Sequence, residues 1–484
     1  MLLAVLLSSA LIEPLHDNTP EQQDRVPPFL SMPTPWADSV FQTLTPDERI
    51  GQLFMVAAYS NKSQTHVDEI QQLIDTFKIG GLIFMQGGPV RQANLINQYQ
   101  ERSKVPLMVS IDGEWGLAMR LDSTVKYPWQ MTLGAIQNEQ LIYDMGVHIG
   151  EQCKRLGIHV NFAPVVDVNV NPKNPIINAR SFGEDRVNVA SKGIAYMLGM
   201  QSVNVMANAK HFPGHGDTDK DSHKSLPVIN HSRERMDSIE LFPFKKLIDN
   251  GLASMMVAHL YIPAYVQEAN TATTLSKEVV TDLLQDSLGF QGLIFTDALN
   301  MKGVSSYYEP GMVDVKALLA GNDILLFSGD VGKAIEEIHK AIERGELTRE
   351  EIDRRCLKVL RAKEWEGLNE YQPVSIKNLY EDLNKREYEW LNRQLSEASL
   401  TVLKNDQFLI PVADLDRQKI ASLAISDEST QEMDATLDLY APVDHFRVAE
   451  DAISGRTGLI DSLAGYNVVL VSIHKSNKNP WKSY

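Results

Sequence analysis

Eight short apolar runs punctuate the chain between Gly51 and Phe327, and each is continuous rather than alternating. They are GQLFMVAAY near 51, GGLIFM near 80, VPLMVSID near 105, GIHVNFAPVVDV near 157, VNVMANAKH near 203, LASMMVAH near 252, GLIFTD near 292 and NDILLF near 322. A strand with one wet face alternates, so unbroken runs predict strands buried on both faces, as in a parallel sheet covered by helices. The stretches between them place apolar residues at helical spacing, as in VDEIQQLIDTF, PVRQANLINQYQERS, EQLIYDMGVHIGEQCKRL and KEVVTDLLQDSL. Eight such strand–helix units predict an α/β chain built on a (β/α)8 TIM-type barrel.

The barrel pattern runs over 36–367. Ahead of it, 1–35 reads as an apolar leader, MLLAVLLSSALIEP, and a polar, proline-rich tether. The leader lacks the usual positive start, yet its apolar centre and small residues suit a cleaved export signal, so a periplasmic or secreted protein is expected. No stretch reaches the ~20 apolar residues that a membrane span needs. Beyond 367 the pattern changes to a linker helix and strand-like KIASLAI, DHFRV and NVVLVSI. Residues 368–484 therefore read as the start of a second α/β domain that stops part-way.

Composition narrows the partners. A formal charge of −17 repels nucleic acid and anionic lipid, and no basic stripe reverses it locally. Cys153 and Cys356 stand far apart without a CxxC, so buried, inert thiols are expected.

Polar residues cluster where strands end. Asp112, Asp167, Lys210 with His211, His259, Asp297 and Ser328 each fall at or just past the C-terminal end of an apolar run. In a barrel those ends converge on the catalytic face. Singly, each has a plainer reading: Asp297 could cap the next helix and His259 could be a hydrogen-bonded core histidine. Their shared position is the argument.

The densest stretch is KHFPGHGDTDKDSH, Lys210 to His223, in which Pro213, Gly214 and Gly216 stop any helix. A zinc pair at His211 and His215 would need a helical face, which Pro213-Gly214 denies it. Asp217, Asp219 and Asp221 mimic a calcium loop, but Ser222 and Val228 stand where that loop needs Gly and Glu. Neither metal nor cofactor is called for. Asp221 and His223 are two apart, so in extended backbone the carboxylate can orient the imidazole as a general acid/base. Asp297 is a second carboxylate, able to attack a carbon centre. Asp112, Arg120, Arg180, Lys210 and His211 remain to grip a hydroxyl-rich ligand.

KHFPGHGDTDKDSHKSLP, with IDGEWGLAMRL at 111, RSFGEDR at 180 and FTDALNMKGV near 295, resembles glycoside hydrolase family 3, in its β-N-acetylglucosaminidase branch. The likeness spans about Trp36 to Glu366. It implies a retaining hydrolase that removes terminal β-linked N-acetylglucosamine from glycans or peptidoglycan fragments. Asp297 would be the nucleophile, His223 the acid/base and Asp221 its partner, with Asp112, Arg120, Arg180, Lys210 and His211 on the sugar. One departure stands out: Gly113, Trp115 and Leu117 interrupt the His-Glu-Gly-Gly-Arg pattern common in relatives, while Asp112, Glu114 and Arg120 remain. Other readings are a β-glucosidase or β-xylosidase, a phosphorylase that spares water, and a non-catalytic saccharide-binding protein. The Asp-Ser-His segment argues against the first. The joint presence of Asp297 and His223 argues against the last.

Overall fold

The computed structural model describes residues 26–219, 226–305, 308–406, 408–426, 429–449 and 457–474. All eight apolar runs become strands of one parallel sheet: β1 (Phe54–Ala58), β2 (Gly81–Phe84), β3 (Met108–Ile111), β4 (Val160–Asn161), β5 (Met206–Phe212), β6 (Ser254–Val257), β7 (Leu293–Thr296) and β8 (Leu325–Leu326). The order is β7-β6-β5-β4-β3-β2-β1-β8, and a parallel bridge between Phe295 and Ile324 brings the ends together. This is the (β/α)8 barrel. Its interior is filled by side chains such as Phe162 and Phe295, which meet edge to face at 5.3 Å.

The predicted helices lie between the strands. Gln64–Phe77, Pro89–Arg102 and Glu139–Arg155 each bury one apolar stripe. The segment Glu278–Ser287 is wound more widely than a regular α-helix, and Leu288 N–H closes on Leu283 C=O five residues back at 2.9 Å. Beyond strand 4, Pro164 has no N–H to donate, which interrupts the regular ladder. The chain still follows β5, with Asn208 N–H on Ala163 C=O at 2.8 Å and Val166 N–H on Lys210 C=O at 2.9 Å, which carries Asp167 up to the rim.

Arg349–Trp365 closes the barrel; a reciprocal cap between Thr348 and Glu351 starts it, and Glu364 accepts from Trp36 N–H and Ala37 N–H at 3.2 and 2.9 Å. The chain then crosses the outside of the barrel. Tyr388 O–H donates to Glu151 at 2.8 Å, and Leu379, Leu383, Leu391 and Leu395 join the barrel's apolar core. The three later apolar runs form a separate parallel sheet, β10 (Val443–Val448), β9 (Ile420–Ser426) and β11 (Val468–His474), with its own small cluster around Ile420, Ala441 and Val468. Cys153 and Cys356 are buried, and burial pushes the Cys356 thiol up to about 12. No helix of the described residues is long and apolar enough to cross a membrane.

Candidate active site

A cavity of about 460 Å³ opens where the strands end. Its lining includes Asp112, Lys210, His211 and Asp297, expected at strand ends, together with Arg120 and Arg180, expected to grip the ligand, so these six residues do meet in one pocket. Asp221 and His223 lie outside the described residues.

One wall is a lattice of alternating charge. Asp112, one residue past β3, takes Lys210 Nζ on Oδ1 at 2.9 Å and Arg120 Nη2 on Oδ2 at 2.5 Å. Glu114, two residues on and buried, takes the same Lys210 at 2.9 Å and Arg180 through Nε and Nη2 at 2.9 and 2.6 Å. Burial alone would raise both carboxyls. The surrounding cations more than offset it, holding Asp112 well below the usual carboxylate range and Glu114 at about 2. A paired carboxylate keeps spare lone pairs, so both acids stay ionised and able to accept hydrogen bonds from a ligand.

Behind this wall runs a second chain of hydrogen bonds. Arg180 Nη2 approaches His211 Nε2 at 3.3 Å, and His211 Nδ1 meets Asp167 at 2.7 Å. Asp167 also accepts from the His215 N–H at 2.7 Å, and His215 Nδ1 meets Thr218 Oγ1 at 2.7 Å. His215 lines the cavity; burial and the neighbouring His211 push it down to about 4, so it is neutral at pH 7. The link from Asp167 explains why the strand-4 aspartate is at the rim yet absent from the cavity lining: it orients the His211 ring at the end of β5 and anchors the backbone of His215 in the loop that follows.

Asp297 sits at the end of β7, its N–H on Val257 C=O at 3.0 Å and its Oδ1 accepting from Ala298 N–H at 2.8 Å. His259 is fully buried and does not line the cavity. Its Nδ1 meets Thr274 Oγ1 at 2.8 Å and its Nε2 meets Ala298 C=O at 3.0 Å, so it braces the peptide next to Asp297. The core-histidine reading is the right one for it. Ser328, one residue past the lining residue Phe327, is also outside the lining.

Tyr59, Asn300 and apolar residues such as Ile83, Met85, Met119, Met301 and Phe327 line the pocket without having been singled out from sequence, while Glu114 and His215, noted there only as a surviving motif residue and a rejected zinc ligand, line it too. For Glu114 the signal was present: it is two residues from Asp112, and in extended chain such a pair faces one way. Asp217, His231 and Glu240 are the one group of acids and histidines among the described residues close enough to share a metal ion. Arg235 already holds both oxygens of Glu240 at 2.8 Å and His231 meets Asp217 at 2.7 Å, so these groups are already engaged with one another.

A family profile described as the glycosyl hydrolase family 3 N-terminal domain matches residues 45–362. The chain belongs to glycosyl hydrolase family 3. It is 31% identical over 373 residues to beta-hexosaminidase A of Pseudoalteromonas piscicida, covering 70% of this chain and 62% of that protein. It is 29% identical over 328 residues to beta-hexosaminidase LpqI of Mycobacterium tuberculosis, covering 65% of this chain and 82% of that one. Among solved structures it resembles a family 3 beta-N-acetylglucosaminidase from Paenibacillus sp. str. FPU-7, with a TM-score of 0.75 and 31% identity over 91% of this chain and 86% of that one. The chain thus spans less than two thirds of the length of the Pseudoalteromonas relative. The family resemblance and the barrel read from the sequence both hold.

Proposed function

We propose that this protein is a retaining β-N-acetylglucosaminidase working through a glycosyl-aspartate on Asp297. The observation that carries the reading is the placement of Asp297 across one cavity from the Asp112–Lys210–Glu114–Arg180 lattice. The beta-hexosaminidase names of its relatives support the substrate class.

In this reading Asp112 accepts hydrogen bonds from sugar hydroxyls, while Lys210, Arg180 and His211 donate. Such charge-assisted bonds are worth about 1.5–3 kcal/mol each. The apolar residues around Met85 and Met301 suit the C–H face of the ring and an acetyl methyl. The Asp297 carboxylate attacks the anomeric carbon and the glycosidic bond breaks, with His223 donating its proton to the departing oxygen. Water then enters, gives a proton to His223, and displaces Asp297. A histidine with a reference pKa of ~6.5 can serve in both steps near neutrality, with Asp221 supporting its charge. Export follows in the same reading from the apolar opening residues.

The two roles separate by mutation. With an aryl N-acetylglucosaminide, His223→Ala should form the intermediate in a burst and then stall, and azide, which needs no deprotonation, should rescue turnover as a β-azide. Asp297→Ala should show neither. A burst that survives in Asp297→Ala would overturn the assignment. Added phosphate giving a sugar 1-phosphate in place of free sugar would move the reading from hydrolysis to phosphorolysis.

A further inference from the structure

The departure at Trp115 has a structural counterpart. Trp115 and Trp129 stack face to face, with centroids 4.6 Å apart and planes 6° from parallel. Both keep part of their surface in solvent. Neither belongs to the barrel's apolar core or to the half-buried residues packed against it. Two of the six tryptophans of the chain are thus stacked on each other outside the main apolar core.

They are held rigidly, beside the pocket, from two directions. Trp115 directly follows Glu114, which pairs with Lys210 and Arg180. Its backbone is fixed by Tyr127 N–H on its carbonyl at 3.2 Å, and by Tyr196 O–H on the carbonyls of Gly113 and Glu114 at 3.0 and 3.3 Å. Gly116, at φ +84°, makes the turn that follows, where an added Cβ would strike the Tyr127 ring at 2.9 Å. Trp129 precedes the short helix Gln130–Leu133, which packs against the Asn178–Arg180 turn and is pinned by Gln130 to both backbone groups of Val165 at 2.8 and 3.1 Å. So one indole is tied to Glu114 and the other to the turn that ends in Arg180. Both tie points lie on the same side of the cavity.

We propose that Trp115, backed by Trp129, is an outer stacking plate for a further pyranose ring of the glycan, beyond the terminal sugar held in the pocket. A pyranose offers an apolar C–H face ringed by hydroxyls, and a fixed indole matches it while leaving the hydroxyls wet. A tryptophan has only two side-chain torsions to immobilise, and stacking has already fixed these. The substrate class that follows is a β-linked oligosaccharide rather than a single sugar on a small aglycone. This rests on the N-acetylglucosaminidase reading for the terminal sugar, and the test separates the two.

Calorimetric titration with N-acetylglucosamine and with its β-linked tetrasaccharide is done on the Asp297→Ala protein, which does not turn them over. Adding Trp115→Ala should lower the ratio of tetrasaccharide to monosaccharide affinity by about three- to tenfold, as an aromatic contact of this kind implies. Trp115→Phe, which keeps a flat ring, should recover most of the ratio, and it also answers for a misfolded alanine variant. An unchanged ratio in Trp115→Ala, or equal loss for both sugars, overturns the plate. Wild-type protein that cleaves no N-acetylglucosaminide, yet whose Asp297→Ala form shows the ratio effect, would sink the enzymatic reading and leave the plate standing.

Discussion

Lys210 is nearly inaccessible, at 2% side-chain exposure, and its ammonium lies between two carboxylates from one short stretch. A buried lysine so placed is the keystone of the lattice: without it Asp112 and Glu114 would repel each other in a poorly solvated wall. The lattice also makes folding acid-sensitive. Glu114 titrates at about 2 in the folded protein, below the ~4.3 of an unfolded glutamate. Its ionised form is favoured by folding, so its contribution is complete above pH ~4.5 and is lost as the pH falls towards 2. Glu114→Gln should therefore lower stability at pH 7 by about 3 kcal/mol, by unpairing Arg180, yet lose less on going from pH 5 to pH 3 than the wild type. Denaturant titrations at a series of pH values check this, and parallel acid curves for the two proteins would contradict it. At this scale the sequence disclosed residue types and missed couplings. Asp112, Lys210 and Asp297 were legible from strand ends and Arg180 from its motif, but nothing in the spacing of 114, 180 and 210 says that one lysine serves two acids.

The end of β5 with the loop that follows it is the element on which the site depends. Residues 210 to 218 bring Lys210, His211 and His215 to one wall, and they do so by lying directly on the segment after β4. Gly216 is the closest point of that approach: a Cβ there would sit 1.9 Å from the Val168 carbonyl oxygen. Only the absence of a side chain lets the two backbones pass. Gly216→Ala should cost about 1–3 kcal/mol and push the loop outwards, lowering kcat and raising KM together because His211 and His215 move with it. Thermal unfolding alongside steady-state kinetics measures both; a stable, fully active variant would show that the loop is not seated this way. The eight strands were readable because burial on both faces leaves a continuous apolar signature. The run near 157 overstated its strand, since the regular ladder takes in only Val160 and Asn161 and the pairing beyond them is irregular around Pro164. The helix at 278–287 was placed correctly, but apolar spacing carries no information on its wider winding.

Across the whole molecule the pocket is assembled within the barrel, from Tyr59 to Phe327, and the later three-stranded sheet lines none of it. The division drawn from sequence near residue 367 marked a change of pattern. In space, the helix Arg386–Ala398 still packs on the barrel through Tyr388, Leu391 and Leu395, which a one-dimensional pattern has no means of showing. Family membership was legible because several motifs occur in order over the barrel. The roles of Asp221 and His223 rest on the motif and on chemistry, and those two residues lie outside the described ones. The central claim is the covalent step on Asp297, and peptide mass spectrometry after reaction with an activated 5-fluoro N-acetylglucosaminyl donor, whose intermediate breaks down slowly, reads it directly. The account predicts one added sugar mass on the peptide containing Asp297 and none in Asp297→Ala. Turnover with no adduct, as when the acetamido oxygen attacks in place of the enzyme, or an adduct on another residue, would contradict it.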